Sequence, residues 1–208
     1  AGFFTLLLDD YFITGADAED WIERHANMRV ERLHRVGPVR ASWLSPVKPV
    51  DTLATPVRKV AVFDSKSLPW HGAPDLVSLI SWENNLLFLS SVLDLAERHP
   101  NIEFAIRGKN TEWRDIPYFA DAVATIDRLP NVRVDDDYSR PQGSYRLVEN
   151  SDLCICRYTS LGEEALASGR PVIFFEETVN GDTWIRGHCD YGDVPIYAAD
   201  RPTLERLF

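Results

Sequence analysis

Short apolar runs alternate with longer amphipathic stretches along most of the chain. From Val60 onward, five runs predict buried strands, and they read VAVF, IEFAIRG, VRV, LCIC and PVIFF. Between them, apolar residues three and four positions apart predict helices, the longest over LVSLISWENNLLFLSSVLDLAERH. Strands that are apolar at every position are typical of sheets covered by helices on both faces. This alternation predicts an α/β fold with a doubly wound parallel sheet.

The rest of the hydrophobic pattern divides the chain into three segments. Further helices are predicted over IPYFADAVATIDRL, SYRLVENS and SLGEEALAS, the last closed by Gly169, and over RPTLERLF with a cap at or near Thr203. Near the start, DYFITG predicts a strand, ADAEDWIERHANM a helix and VERLHRVG another strand, followed by a proline-rich stretch without a period. We therefore predict the tail of a preceding α/β domain over residues 1–37, a linker over 38–57 and a second α/β domain over 58–208. Both ends fall inside predicted units, so we expect a longer protein.

Composition and charge limit the classes of partner that the chain is expected to bind. The 208 residues carry a net charge of −10, which argues against a nucleic-acid partner because phosphate backbones need clustered Lys and Arg. No apolar run reaches the roughly 20 residues of a transmembrane helix, and we expect no membrane-spanning segment. Three cysteines, Cys154, Cys156 and Cys189, occur without paired spacing and fit core packing in a reducing, cytoplasmic compartment.

Polar residues cluster where the predicted strand LCIC ends and the next helix begins. In open parallel sheets, ligands bind beyond the carboxyl ends of strands, beside helix N-termini whose unpaired N–H groups suit phosphate. Hydroxyls and a cation there would add donors, a glycine would let the backbone come close, and two acids would accept ribose hydroxyls. The candidate nucleotide and phosphate ligands are Arg157, Thr159, Ser160, Leu161, Gly162, Glu163 and Glu164. A capping box from Ser160 to Glu163 explains those two residues equally well.

A second cluster follows the strand IEFAIRG. Arg107 and Lys109, separated by a glycine, are placed to meet a diphosphate or monophosphate, with a solvated loop as the alternative. Ser65 and Lys66 after the first strand are weaker candidates, as is His188, for which a surface or capping role is favoured. The sequence lacks GxGxxG and GxxxxGK[ST], which counts against NAD, FAD and a P-loop, and no motif indicates a metal.

The segment RYTSLGEEALASGRPVIFFEE resembles the nucleotide-binding segment of GT-B glycosyltransferases. In that family a helix reads Glu-Ala-x-x-x-Gly-x-Pro-Val-Ile, and the matching residues here are Glu164, Ala165, Gly169, Pro171, Val172 and Ile173. The resemblance implies that residues 58–208 form the Rossmann-like C-terminal domain that binds a nucleotide sugar, and that residues 1–37 end the acceptor-side domain. It looks closest to bacterial surface-polysaccharide enzymes such as Kdo transferases. Many retaining members carry a second Glu where this chain has Cys156, which is a departure from that subgroup.

The resemblance also implies roles and a reaction. Glu164 would bind the ribose, Thr159 and Ser160 the phosphate, and Arg107 and Lys109 the charge of the departing phosphate, with no metal or cofactor besides the donor substrate. The expected reaction transfers a sugar from CMP-Kdo, or a UDP- or GDP-sugar, to a saccharide or lipid-linked saccharide of lipopolysaccharide or capsule.

Three alternatives stay open, and the catalytic base is not predicted. The chain could belong to a CDP-glycerol-type glycerophosphotransferase, a sugar-nucleotide epimerase or a non-catalytic donor-binding subunit. We expect a cytoplasmic location, with any attachment to the inner face of the membrane made by parts outside this chain.

Overall fold

A computed structural model describes residues 6–15, 19, 22, 24, 28–47, 56–64, 81–139, 142–157, 159–179, 181 and 195–208. Its first sheet pairs two parallel strands, β1 (Leu6–Ile13) and β2 (Met28–Arg35), with Leu6 opposite Met28. The second sheet contains six strands: β3 (Lys59–Phe63), β4 (Glu103–Arg107), β5 (Val132–Val134), β6 (Leu153–Cys156), β7 (Val172–Phe175) and β8 (Tyr197–Ala198). The helices whose full ranges are described are α1 (Trp82–Arg98), α2 (Ala120–Arg128), α3 (Gly143–Glu149), α4 (Ser160–Ala167) and α5 (Arg201–Leu207), with 3-10 turns at Val39–Trp43, Glu112–Asp115 and Pro117–Phe119.

The second sheet is entirely parallel and runs in the order β5-β4-β3-β6-β7-β8. The chain builds outward from β3 through β4 to β5, returns to the other side of β3 and builds outward again from β6. This is a doubly wound order, and the direction reverses between β3 and β6. The α/β fold with a doubly wound parallel sheet is therefore confirmed, and the reversal point lies between these two strands, whose carboxyl ends are where open α/β sheets bind ligands.

Hydrophobic cores cover both faces of this sheet. Along β3, Val60 and Val62 belong to a core with residues of α1 and α2, whereas Ala61 and Phe63 belong to a second core with residues of α3 and α4. Successive strand residues point to opposite faces, so one strand serves both cores. This two-sided burial explains why the strand sequences are apolar at every position.

Several element boundaries differ from the prediction. The cap of α5 is Asp200, whose carboxylate accepts a hydrogen bond from the Thr203 backbone N–H at 2.7 Å, so the cap, predicted at or near Thr203, lies three residues before Thr203. The cap of α4 is Thr159, whose hydroxyl accepts from the Leu161 N–H at 3.3 Å. Ser160 is therefore the first helical residue, and the capping-box interpretation of Ser160 is wrong.

The first half of the predicted linker lies against the second sheet's helices. Leu44 is buried in the core that contains α3 and α4. The backbone N–H and the hydroxyl of Ser45 both donate to Glu149, at 3.0 and 2.8 Å, and the Val47 N–H donates to the Ser168 carbonyl at 2.8 Å. Residues 38–47 are thus an anchored strap, although the domain boundaries predicted around them stay a prediction.

Candidate functional site

A buried ion pair occupies the point where the winding direction reverses. Asp64 follows β3 and Arg157 follows β6, and the Arg157 guanidinium lies 3.3 Å from the Asp64 carboxylate. The side-chain amide of Asn85 on α1 also donates to Asp64. Arg157 is 0% exposed and lies over the Phe88 ring. The guanidinium of Arg157 therefore ties β3 to β6 below the surface, and its predicted contact with a phosphate stays a prediction.

Arg107, at the end of β4, is also held by the protein. Its guanidinium donates to Asp135 at 2.8 Å and to the Ser144 hydroxyl at 2.9 Å, and it stacks on the Tyr138 ring at 4.5 Å. Its side chain is 7% exposed, whereas Lys109 in the following loop is exposed. Asp135 offsets the charge of Arg107. Because Arg107 is buried and Lys109 is exposed, Lys109 is the more accessible cation of this predicted pair.

Glu164 is a buried carboxylate at the start of α4. It is 5% exposed, and its two oxygens accept hydrogen bonds from the Tyr145 hydroxyl at 2.7 Å and the Ser160 hydroxyl at 3.2 Å. A carboxylate offers about four acceptor positions, of which these two hydroxyls use two. The carboxylate is thus oriented by neutral donors and keeps capacity for further donors.

Tyr145 on α3 makes the shorter of the two hydrogen bonds to Glu164. Its burial, the hydrogen bond to Glu164 and the charge of Glu164 raise the pKa of the Tyr145 phenol to about 12, against a smaller opposing effect of Arg40. The phenol is consequently neutral at physiological pH and keeps the proton that it donates. The ring of Trp43, in the strap, packs edge-on against Tyr145 with 5.2 Å between ring centroids.

Gly162 and Leu161 face the core. A Cβ placed on Gly162 would lie 2.6 Å from a ring carbon of Phe174 and 3.1 Å from the Cβ of Cys156. Close packing of α4 on the sheet therefore requires this glycine, and its predicted role in letting backbone approach a phosphate stays a prediction. Leu161 is 8% exposed within the same core. Glu163, in the first turn of α4, is half-buried.

The first turn of α3 connects the two predicted clusters. Ser144 contacts Arg107 and its neighbour Tyr145 contacts Glu164, while Ser160 joins Glu164 from α4. The two clusters therefore share one edge of the sheet and one helix. The weaker candidates Ser65, Lys66 and His188 lie outside the described residues.

Sequence reasoning missed four residues of this region. Asp64 directly follows the run VAVF, and that position was a usable signal for a side chain at the carboxyl edge. Tyr145 was visible only as a residue of a predicted helix. Arg40 and Trp43 lie in a stretch without periodicity, and their positions depend on contacts over a long sequence separation.

The thiols of β6 belong to the core, as predicted. Cys154 and Cys156 are both buried. Burial raises the pKa of Cys154 to about 12 and that of Cys156 well above its ordinary value. Both thiols therefore stay protonated at physiological pH.

A cavity of about 690 Å³ lies at the opposite, amino-terminal edge of the sheet, where Val57, Asp152 and Pro171 line it beside the starts of β3, β6 and β7. Within the described chain, no three His, Cys, Asp or Glu side chains converge as metal ligands. None of the helices that the structure describes is long and apolar enough to cross a membrane.

No protein-family model and no curated protein match the chain. Among solved structures, the UDP-GlcNAc 2-epimerase of Neisseria meningitidis bound to UDP-GlcNAc aligns with a TM-score of 0.46 and 17% identity, over 73% of this chain and 35% of that one. A mutant O-GlcNAc transferase of Thermobaculum terrenum aligns with a TM-score of 0.47 and 13% identity, over 97% of this chain and 36% of that one. The pneumococcal O-GlcNAc transferase GtfA, in complex with UDP and GlcNAc, gives 0.44 and 12%, over 81% and 30%.

The chain spans about a third of the length of each of these structures.

Proposed function

We propose that the chain supplies the donor-binding domain of a nucleotide-sugar-dependent glycosyltransferase. The observation that carries the proposal is the Glu164 carboxylate, buried at the carboxyl edge of a doubly wound sheet and held by two hydroxyls. A ribose diol brings two O–H donors, and hydrogen bonds to a buried charge are stronger than those between neutral groups. Glu164 would therefore accept the ribose hydroxyls, as the resemblance of its segment implies.

The phosphate would lie beside the beginning of α4. A helix N-terminus carries about half a positive charge, and Ser160, its first residue, is exposed. Thr159 would hold the turn through its cap, and Lys109 would reach the phosphate from the loop after β4. Arg107 would act mainly through Ser144, because Asp135 already offsets its charge. Arg157 would position the turn after β6 without touching the ligand.

The reaction proposed is displacement at the anomeric carbon of the donor. An acceptor hydroxyl oxygen forms the new glycosidic bond while the bond from the sugar to the phosphate oxygen breaks, and the nucleotide leaves with that electron pair. The hydroxyl proton passes to a base that we do not assign. The helix N-terminus and nearby cations would stabilise the departing phosphate charge. The donor would be CMP-Kdo or a UDP- or GDP-sugar, and the acceptor a surface saccharide.

Calorimetric titration with CMP, CDP, UDP and GDP tests the proposal. We expect at least one of them to bind, and we expect Glu164→Gln to weaken that binding by about 1–3 kcal/mol, the cost of losing a hydrogen bond to a charged group. The control is Glu97→Gln, which changes an exposed carboxylate that pairs with Arg128, and its affinity should equal that of the wild type. Binding of none of the four nucleotides would refute the proposal, and unchanged affinity in a folded Glu164→Gln variant would remove Glu164 from the site.

A further inference from the structure

Trp43 presents a large aromatic ring to solvent although the segment around it is fixed. Its side chain is 53% exposed, whereas Trp113 is 8% exposed in the core. Exposed aromatic rings are common on protein surfaces, so exposure alone decides nothing. Trp43 differs from an ordinary exposed aromatic residue in two respects: the backbone next to it is fixed by contacts, and its ring packs against Tyr145.

The anchorage begins immediately after the ring. Leu44 is 3% exposed in the core, and Ser45 makes three hydrogen bonds: its N–H and hydroxyl donate to Glu149, and its carbonyl accepts from Arg170 at 2.7 Å. The 3-10 turn Val39–Trp43 precedes these contacts directly. The indole is thus attached to a well-fixed backbone, so little conformational entropy would be lost when a ligand packs on it.

The neighbours place this ring beside the candidate ribose ligand. Trp43 contacts the Tyr145 ring at 5.2 Å with 73° between the ring planes, and the Tyr145 hydroxyl donates to Glu164 at 2.7 Å. One aromatic side chain therefore separates the exposed indole from the buried carboxylate. In a nucleoside, a flat base is bonded directly to the ribose, so a ribose held by Glu164 would carry its base towards this pair of aromatic rings.

We propose that Trp43 is a binding residue that stacks on the nucleobase of the nucleotide whose ribose Glu164 accepts, an inference that rests on the proposed function. Aromatic rings bind bases through their π-faces with little preference among bases. Trp43 would thus contribute affinity for the nucleoside, while the contacts that select one base would come from elsewhere. The strap, although outside the second sheet, would form one wall of the donor site.

A purely structural role makes a different prediction. If Trp43 only covers Tyr145, its removal would loosen Tyr145 and affect every ligand of Glu164 equally. A ligand that has the ribose and phosphate but lacks the base separates the two roles.

The experiment compares ribose 5-phosphate with whichever of CMP, CDP, UDP and GDP the chain binds most tightly. Binding is measured by calorimetry, and ribose 5-phosphate also by competition. We expect Trp43→Ala to weaken nucleotide binding by about tenfold or more, the effect typical of removing one stacking ring, and to leave ribose 5-phosphate binding unchanged. Trp43→Phe should retain most of the nucleotide affinity while losing the fluorescence quenching that the nucleotide causes in the wild type. Val39→Ala, at an exposed residue of the same turn, is the matched control.

Each result has one meaning. Equal losses for nucleotide and ribose 5-phosphate, or no loss for either, would overturn the stacking role while the proposed function stands. A wild-type chain that binds no nucleotide would overturn both.

Discussion

The Tyr145–Glu164 pair shows how one phenol can orient a buried acid. The phenol donates and the carboxylate accepts, and desolvation disfavours the ionised form of Tyr145. A Lys or Arg at the same place would neutralise the carboxylate and compete with a ligand's hydroxyls. A neutral donor orients the Glu164 carboxylate without neutralising its negative charge.

This pair predicts a pH dependence of stability. The pKa of Tyr145 is raised from 10.0 to about 12 in the folded chain, so its contribution is fully present below about pH 10 and is lost as the pH rises towards 12. We expect Tyr145→Phe to lower the free energy of unfolding at about pH 8 and to differ less from the wild type at about pH 11, as measured by urea unfolding. The exposed Tyr118 provides the control variant, Tyr118→Phe. A Tyr145→Phe difference that stays constant across this range would contradict the expectation.

Single residues were predictable where local sequence decides them. Glu164 was identified because its segment follows a pattern, and Arg107 because a cation follows a buried strand. Their environments were not predictable: the acid that neutralises Arg107 lies 28 positions away, and the one that pairs with Arg157 lies 93 positions away. A local pattern indicates that a charge is present, but only the assembled sheet determines whether that charge faces solvent.

Among the elements, α4 depends on a close approach to the sheet. Gly162→Ala would place a methyl group 2.6 Å from the Phe174 ring, which is 3% exposed and has little room to move. Overpacking of this kind typically costs about 1–3 kcal/mol, more than the roughly 1 kcal/mol that alanine gains over glycine in a helix. We expect a lower urea midpoint for Gly162→Ala.

A second substitution makes this prediction specific. Phe174→Leu should be destabilising alone but should reduce the additional cost of Gly162→Ala, because it removes the ring that the new methyl group meets. Strictly additive effects would show that the clash is relieved elsewhere.

Elements were predicted well where periodicity is strong. The interior strands were recognised because both of their faces are buried. The strand β8 was missed, since two residues cannot display a pattern, and the start of α5 was misplaced because Asp200 caps the helix two residues before the Pro202–Thr203 pair. Boundaries of this kind depend on one side-chain contact, which hydrophobic periodicity does not report.

For the whole molecule, the Asp64–Arg157 pair joins the two halves of the sheet. Removing one partner of a buried ion pair leaves an uncompensated charge, which typically costs about 3–5 kcal/mol. We expect Arg157→Met to destabilise the chain by this amount in urea unfolding. Arg128→Met, which breaks an exposed pair with Glu97, should cost about 1 kcal/mol or less.

The double variant Arg157→Met with Asp64→Asn tests whether an uncompensated buried charge causes this loss of stability. It should be less destabilised than the sum of its single variants, because neither charge is then left buried alone. Additivity would instead mean that each side chain acts through other contacts.

At this scale the sequence predicts the fold class but not the arrangement. Alternating strands and helices indicate a parallel sheet, yet they do not say that the chain crosses from β5 back to the far side of β3. That crossing places the turn after β6 next to β3. The position of the strap was also not predictable, since its contacts with Glu149 and Ser168 have no local signature.

The strands of the six-stranded sheet shorten from its centre towards its margins. The central strand β3 has five residues, whereas the marginal strands β5 and β8 have three and two. A margin this short exposes few unpaired backbone groups, so it is a poor template for a strand from another molecule. The tapering therefore makes the margins of this sheet poor sites for edge-to-edge pairing, and Arg133 adds a charge within β5.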